Sequence, residues 1–157
     1  MTKRWVNESA LMESLSGNLL DAMSMFPKRL VRIDEIIRQF HMPLSHIQVL
    51  SLIASEPLTI SQISSRMGVA KPNVTPLVDK LDELGYVERG RSDTDKRIVL
   101  VMMTDSGHDC LMQIRSAIAE QIRNWPVDFS MGEVRRLNNS LGTLNRAMNS
   151  MNDTQSR

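Results

Sequence analysis

The chain has 157 residues, which suits one domain with a sizeable core and leaves no room for a second enzyme domain. Its formal net charge of +1 excludes a generic polyanion binder, so any nucleic-acid surface must be local. The single cysteine, Cys110, excludes an intrachain disulfide framework. With no apolar signal region and no run near the ~20 apolar residues of a membrane span, we expect a cytoplasmic protein without a membrane partner.

The N-terminal region predicts a long amphipathic helix, or two helices in line, over residues 8–41. Residues Met1 to Asn7 show no periodicity and are expected to form a loose arm. Pro27 predicts a kink or a short break, because it removes one backbone hydrogen bond. From Glu8 onward one apolar face repeats at spacings of three and four, formed by Leu11, Leu15, Leu19, Met23, Phe26, Leu30, Ile33, Ile37 and Phe40.

A supporting helix is predicted next. Met42-Pro43-Leu44 ends the first helix, and Ser45 with Gln48 forms a capping pair that opens the next one. Its inner face is Ile47, Leu50 and either Ile53 or Ala54. Glu56-Pro57-Leu58 is expected to be a connecting turn.

Two short helices with a sharp turn between them follow. Thr59 and Gln62 form a capping box at the start of the first of these helices, and Gly68 ends it. The second helix begins at Lys71-Pro72, where proline suits a first turn, and Gly85 closes it. Its predicted inner stripe is Val74, Leu77, Val78, Leu81 and Leu84, and its predicted outer residues are Asn73, Thr75, Pro76, Asp79 and Lys80. This spacing is typical of a helix-turn-helix, whose second helix enters a major groove.

A β-hairpin with a charged tip is predicted behind the second helix. Tyr86 to Arg89 and Arg97 to Met103 are rich in strand formers, and Gly90 to Lys96 has a turn composition. A hairpin in this position makes a winged helix.

Two further helices complete the predicted fold. Thr104 caps a helix over about 106–124, with Leu111, Ile114, Ile118 and Ile122 on one side and Trp125-Pro126 as its stop. Ser130 with Glu133 opens the last helix, and the tail from Asn152 to Arg157 is expected to fray. The apolar seam of the last helix is Val134, Leu137, Leu141, Leu144, Met148 and Met151. The first and last helices carry more apolar surface than a small winged helix can cover, which favours a two-fold homodimer.

About half the chain resembles the MarR family of winged helix-turn-helix transcriptional regulators. The wing and the Gly-Tyr-Val-x-Arg segment before it are the most specific part. The matching residues are Leu44-Ser45 with Gln48, Leu58-Thr59 to Val69, Asn73 to Leu84, Gly85-Tyr86-Val87-Glu88-Arg89, Asp93-Thr94-Asp95-Lys96-Arg97, and Met103-Thr104 with Gly107.

The resemblance implies a mainly α fold with a small β-hairpin wing, organised as one domain over 1–157. It assigns 8–41 and 105–151 to dimerisation helices and 44–104 to the winged helix-turn-helix. It also implies a homodimer that represses transcription by binding a pseudo-palindromic operator in double-stranded DNA. A small apolar or aromatic effector is expected to alter the affinity of the dimer for this operator. The effector crevice is expected near Phe26, Leu30, Ile47, Leu50 and Met67.

The predicted DNA contacts combine base readers with phosphate contacts. Asn73 and Thr75 suit base edges, and Pro76 suits a thymine methyl or a lightly contacted position. Arg97 resembles the family's minor-groove arginine, with Asp95 holding its guanidinium. The full predicted set is Ser61, Lys71, Pro72, Asn73, Thr75, Pro76, Lys80, Arg89, Arg91, Asp95, Lys96 and Arg97.

Other functions are less well supported by the sequence. The near-neutral charge balance leaves open a winged-helix protein-interaction module with little DNA affinity. We find no Gly-rich phosphate loop, nucleophile elbow or helical His pair, so we predict neither an enzyme nor a cofactor. Cys110 is expected to be a buried, inert thiol, and His41 and His108 are expected to be polar surface residues rather than metal ligands.

Overall fold

The computed structural model describes residues 2–25, 31–126 and 128–155. Most of this chain is helical, and its two strands form one antiparallel hairpin, which confirms the predicted fold class. The elements in order are α1 (Thr2–Met25), α2 (Ile33–Phe40), α3 (Leu44–Ile53), α4 (Ile60–Met67), α5 (Lys71–Glu83), β1 (Val87–Arg91), β2 (Val99–Met103), α6 (Asp105–Arg123) and α7 (Met131–Gln155).

The N-terminal region differs from the prediction at its start. The expected loose arm is wrong, because α1 begins at Thr2. Residues 2–16 contain neither Gly nor Pro, so nothing in the sequence stops the helix from extending toward the N-terminus. Two helices, α1 and α2, occupy the region 8–41, which is the second of the two predicted arrangements, while the expected kink or short break at Pro27 lies outside the described residues.

Helix α3 starts earlier than its predicted cap. Pro43 occupies the N-cap with a φ of −58°, and its carbonyl accepts the N–H groups of His46 and Ile47 at 3.0 and 3.3 Å. The predicted Ser45–Gln48 capping pair is therefore wrong: proline, with its fixed φ, already begins the helix at Leu44.

The hydrophobic core lies beneath the helix-turn-helix. It is built from α2 to α6 together with the inner face of the hairpin. The largest fully buried side chains are Ile36, Leu50, Leu58, Ile63, Leu81 and Ile114. On α6, Leu111 and Ile114 are buried as predicted, but Ile122 is 41% exposed because it lies near the end of the helix, beyond this core.

A third extended segment joins the hairpin at its base. Leu58 and Val101 form an antiparallel bridge, with N–H to O distances of 3.2 Å from Leu58 and 2.8 Å from Val101. The predicted connecting turn over Glu56 to Leu58 therefore ends in a strand-like residue. The bridge fixes the base of the wing to the start of α4.

The junction between the hairpin and α6 depends on Thr104 and Gly107. The Thr104 hydroxyl donates to the carbonyl of Gly85 at 2.6 Å and accepts the N–H of Gly107 at 3.1 Å, which confirms its predicted cap. A Cβ atom on Gly107 would overlap the carbonyl oxygen of Tyr86. Glycine is therefore required here by the close approach of two backbones.

Helix α7 begins at a capping box, as predicted. Glu133 Oε2 accepts the N–H of Ser130 at 2.9 Å, and Ser130 Oγ accepts the N–H of Glu133 at 3.3 Å. The helix continues to Gln155, so the predicted fraying from Asn152 is wrong over residues 152–155. Four further residues extend a helix whose last turns contain neither Gly nor Pro.

Apolar stripes on α1 and α7 remain exposed. Every described side chain between residues 9 and 22 is exposed, including Leu11, Leu15 and Leu19. On α7 the exposed apolar side chains include Val134, Leu137, Leu141, Leu144 and Met148. The side chains of Met23 and Met151 lie outside the described residues.

Candidate nucleic-acid interface

The turn between α4 and α5 is held by local hydrogen bonds. Thr59 and Gln62 form the predicted capping box at the start of α4. Gly68 ends α4 with a φ of 67°, a left-handed conformation that glycine adopts without a steric penalty. The Ser64 hydroxyl donates to the carbonyl of Val69 at 2.6 Å, which ties α4 to the turn. These contacts fix the direction in which α5 leaves the turn.

Helix α5 has the predicted division into an inner and an outer face. Val74, Val78 and Leu81 are fully buried, whereas the predicted base-reading residues Asn73, Thr75 and Pro76 are exposed. Leu84 was predicted in the inner stripe, but it is 48% exposed. This prediction is wrong because Leu84 is the C-cap, where the chain turns away from the core.

The remaining predicted contacts on the two helices are also accessible. Ser61 is exposed on α4, and Lys71 and Pro72 are exposed in the first turn of α5. Lys80 is exposed as well, but its Nζ lies 2.9 Å from Glu83 Oε2 in an ion pair within the same helix. Its charge is therefore partly balanced in the free protein.

The loop of the wing lies two residues later in the chain than the predicted turn over Gly90 to Lys96, so β1 extends to Arg91 and β2 begins only at Val99. Val87 pairs with Met103 and Arg91 pairs with Val99, so the loop covers residues 92–98. Arg97 was predicted in the second strand but lies in this loop. Ser92 N–H donates to the carbonyl of Ile98 at 3.0 Å, which closes the loop at its base.

Asp95 orders the loop rather than the arginine side chain. Its Oδ1 accepts the backbone N–H of Arg97 at 2.9 Å. The predicted pair between Asp95 and the Arg97 guanidinium is wrong, since no such ion pair occurs in the part of the chain that the structure describes. A short acidic side chain in a turn reaches the backbone two residues later more easily than a distant guanidinium. The Arg97 side chain is left exposed.

Arg89 on β1 forms an ion pair with Asp79 on α5. Arg89 was predicted as a phosphate contact, and the pairing joins the wing to the predicted recognition helix. The helical and strand patterns do not reveal this pair, because the two residues belong to different elements. The only indication of this pair in the sequence is the predicted outward position of Asp79.

The other wing cations differ in their pairing. Lys96 Nζ lies 3.2 Å from Asp93 Oδ1, and an Arg91 guanidinium nitrogen lies 3.5 Å from the carbonyl oxygen of Lys96. Within residues 2–25, 31–126 and 128–155, neither Lys71 nor Arg97 forms an ion pair. A DNA phosphate could therefore pair with Lys71 or Arg97 without first breaking an ion pair among the described residues.

Two titratable groups lie behind this surface. Burial, with a smaller contribution from the positive charge of Lys80, lowers the pKa of His46 on α3 below its usual 6.5. The sequence pattern does not single out His46. Burial raises the pKa of the Cys110 thiol, against a smaller opposite effect of its hydrogen bond with Tyr86. A buried, protonated thiol is a poor nucleophile.

The predicted effector crevice stays a prediction. Phe26 and Leu30 lie outside the described residues, Leu50 is fully buried and Ile47 is buried. Met67 is half-buried. A groove of about 440 Å³ lies instead between α2 and α6, and its lining residues are Gln39, Asp109, Met112, Gln113, Ser116 and Ala117.

The described ranges contain neither a metal-binding cluster nor a membrane-spanning helix. There, no three His, Cys, Asp or Glu side chains form a group that could hold a metal ion. His41 and His108 are both exposed. Among the helices of this part of the chain, none combines the length and the apolarity that crossing a membrane requires.

Comparisons with known proteins point to one family. The model of the MarR family matches residues 40–98. The transcriptional repressor MprA of Escherichia coli K12 is 33% identical over 54 residues, which cover 34% of this chain and 31% of MprA. The match therefore spans about a third of this relative. Residues 40–98 include the α3 to α5 helices and the first strand of the wing.

Solved structures share the fold over most of the chain. A MarR family protein from Bacillus stearothermophilus has a TM-score of 0.63 at 23% identity, covering 94% of this chain and 98% of the other. A mutant of Staphylococcus aureus MepR, solved bound to an oligodeoxyribonucleotide, has a TM-score of 0.57 at 17% identity, with coverages of 90% and 97%. Curated relatives such as MprA are named as transcriptional repressors or regulators, in agreement with the prediction that the chain is not an enzyme. Residues 40–98 of the chain thus match the MarR family, and its fold is that of solved MarR family structures.

Proposed function

We propose that the chain is a cytoplasmic, homodimeric, sequence-specific DNA-binding regulator that represses transcription. The observation that carries the proposal is the pairing of an exposed polar helix face with a free wing arginine. Asn73 and Thr75 are exposed on α5, and the Arg97 guanidinium has no ion pair in the described part of the chain. Polar side chains suit base edges in a major groove, and a free guanidinium suits a narrow minor groove.

Dimer formation follows from the exposed stripes of α1 and α7. A monomer would leave the large apolar side chains of both helices in water, including Leu15 and Leu141. A second copy covers them by two-fold symmetry, the commonest arrangement in soluble oligomers. Two α5 helices then face successive major grooves ~34 Å apart on a pseudo-palindrome.

A small apolar or aromatic effector would act by changing the spacing of the two α5 helices. Such a ligand shifts the equilibrium only if it binds one spacing more tightly than the other. The groove between α2 and α6 supports this part of the proposal, because α6 connects the wing to α7. Repression is supported by the similarity to MprA, which is a transcriptional repressor.

The test is duplex binding measured by fluorescence anisotropy over a range of salt concentrations. Arg97→Ala should weaken binding at physiological salt, whereas Arg123→Ala should leave it unchanged. Arg123 is another exposed arginine, at the end of α6. Equal binding by Arg97→Ala and the parent would overturn the wing assignment.

A winged-helix protein-interaction module is the second proposal. Three cations of the surface are already paired, in Arg89–Asp79, Lys80–Glu83 and Lys96–Asp93, and this charge balance is the observation in its favour. Binding to phosphates releases counterions, so the affinity of a DNA-binding protein falls steeply with salt. Duplex binding that is weak and independent of salt would favour the interaction module.

A further inference from the structure

Pro76 lies inside the recognition helix rather than at its start. It is the sixth residue of α5, which continues as a helix to Glu83. Pro72, Pro76 and Lys80 are spaced by four residues and are exposed, on the side opposite to the buried Val74 and Val78. The proline ring is therefore part of the surface that would face the major groove.

The position of Pro76 also changes the backbone chemistry of this surface. In an α-helix the carbonyl of residue 72 accepts the N–H of residue 76, and proline has no N–H. The Pro72 carbonyl consequently lacks its helical donor. It is an acceptor next to an apolar ring, because the ring of an interior proline crowds the carbonyl four residues earlier and pushes it away from the helix axis.

The first turn offers few donors that could bind a phosphate instead. Pro72 has no N–H, and the N–H of Asn73 donates to the carbonyl of Ala70 at 2.9 Å. Helix starts usually attract anions through free N–H groups. Here, the first turn is better suited to accepting hydrogen bonds from bases than to donating them to phosphates.

On the basis of the proposed function, we infer that Pro72 and Pro76 make α5 a reader of one A·T base pair in each half-site. The Pro72 carbonyl accepts a hydrogen bond from the adenine N6 amino group, and the Pro76 ring packs on the thymine methyl. An A·T pair presents both groups in the major groove. A guanine in place of adenine would present O6 and N7, which are acceptors that the carbonyl repels.

The experiment starts with selection of bound duplexes from a random-sequence pool by the parent protein and by Pro76→Ala. Alanine supplies the missing N–H and removes the ring. We expect the parent to prefer A·T about tenfold at one position of each half-site, and the variant to lose that preference while retaining the rest of the site. The variant should melt at the same or a higher temperature, because an interior proline is replaced by a strong helix former.

A matched control separates base reading from general loss of affinity. Lys80→Ala lies one turn further along the same face and should weaken all sequences equally, since a phosphate contact carries no sequence information. An unchanged A·T preference in Pro76→Ala overturns the inference. Failure of the parent to enrich any sequence overturns the proposed function itself, so the two failures are distinguishable.

Modified DNA tests the two contacts without any change in the protein. At the selected position, deoxyuridine removes only the thymine methyl, and a purine nucleoside without the 6-amino group removes only the adenine donor. Each change should weaken binding of the parent several-fold, and Pro76→Ala should be less sensitive to both. Absence of either loss in the parent overturns the inference even if the variant fails to fold.

Discussion

The guanidinium of Arg89 on β1 and the carboxylate of Asp79 on α5 form an ion pair that joins the wing to the proposed recognition helix. Both side chains are more than a third exposed, so the pair itself adds at most about 1 kcal/mol to stability. Its larger effect is on charge. Arg89 cannot contact a phosphate with full strength while it also neutralises Asp79.

Asp79→Asn should therefore strengthen duplex binding. The variant keeps the size of the side chain and releases the Arg89 charge, so we expect a several-fold gain in affinity at low salt. The slope of log affinity against log salt should become steeper by about 0.9, the value for one added phosphate contact. Anisotropy titrations at a series of salt concentrations measure both quantities.

Asp82→Asn is the matched control for this prediction. Asp82 is exposed on the same helix, and no ion pair involves it in the described ranges. Asp82→Asn should raise the affinity for duplex DNA less than Asp79→Asn does, because it releases no cation for a new phosphate contact. An equal gain from the two variants would mean that total charge, rather than release of Arg89, determines affinity.

Gly107→Ala should destabilise the fold. The added methyl group would overlap the Tyr86 carbonyl, and the hairpin and α6 would have to separate. We expect a loss of about 1–3 kcal/mol in the free energy of unfolding, the usual cost of overpacking. Urea denaturation followed by circular dichroism measures it.

Gly132→Ala provides the comparison for Gly107→Ala. A Cβ at position 132 meets only side-chain atoms at 3.8 Å or more, within α7 and its cap. Alanine there should be neutral or stabilising by up to about 1 kcal/mol. A similar loss at both positions would contradict the close approach at Gly107.

Interactions between residues close in the chain were the predictable part of the fold. The caps at Thr59, Thr104 and Ser130 and the left-handed Gly68 each depend on three or four neighbouring residues, and the sequence therefore predicts them. The Ser45 cap fails because Pro43, two residues away, starts the helix first. A local pattern can thus be overruled by a stronger one beside it.

Contacts between distant elements could not be predicted in this way. The bridge between Leu58 and Val101 joins residues separated by most of the winged helix, and periodicity contains no information on such pairs. The same holds for Arg89 with Asp79 in the candidate site. The exposure of the candidate contacts on α5 was predictable because a helix fixes which residues share a face, whereas the wing contacts depend on how the loop folds.

Leu141→Glu should prevent formation of the proposed dimer. Leu141 is exposed in the middle of the apolar stripe of α7, and a carboxylate there would be buried against the partner copy without a counter-charge. We expect a monomer by analytical ultracentrifugation and loss of operator binding, since one recognition helix makes only half of the contacts. Asn139→Glu places the same charge on the other side of α7 and should remain dimeric. Dimers in both variants would exclude this stripe as the interface.

His46 should make stability depend on pH. Its pKa in the folded chain is lowered from 6.5, chiefly by burial, so the unfolded chain binds the proton more readily than the folded chain. The stabilising contribution of neutral His46 is therefore present above pH 6.5 and is lost as the pH falls through the range just below it. Urea unfolding of the parent should show a lower free energy at about pH 5.5 than at about pH 7.5. His46→Gln should reduce this difference between the two pH values. Replacing the exposed His108 by glutamine is the control and should leave the difference as it is in the parent. An unchanged difference in His46→Gln would show that other groups cause the pH dependence.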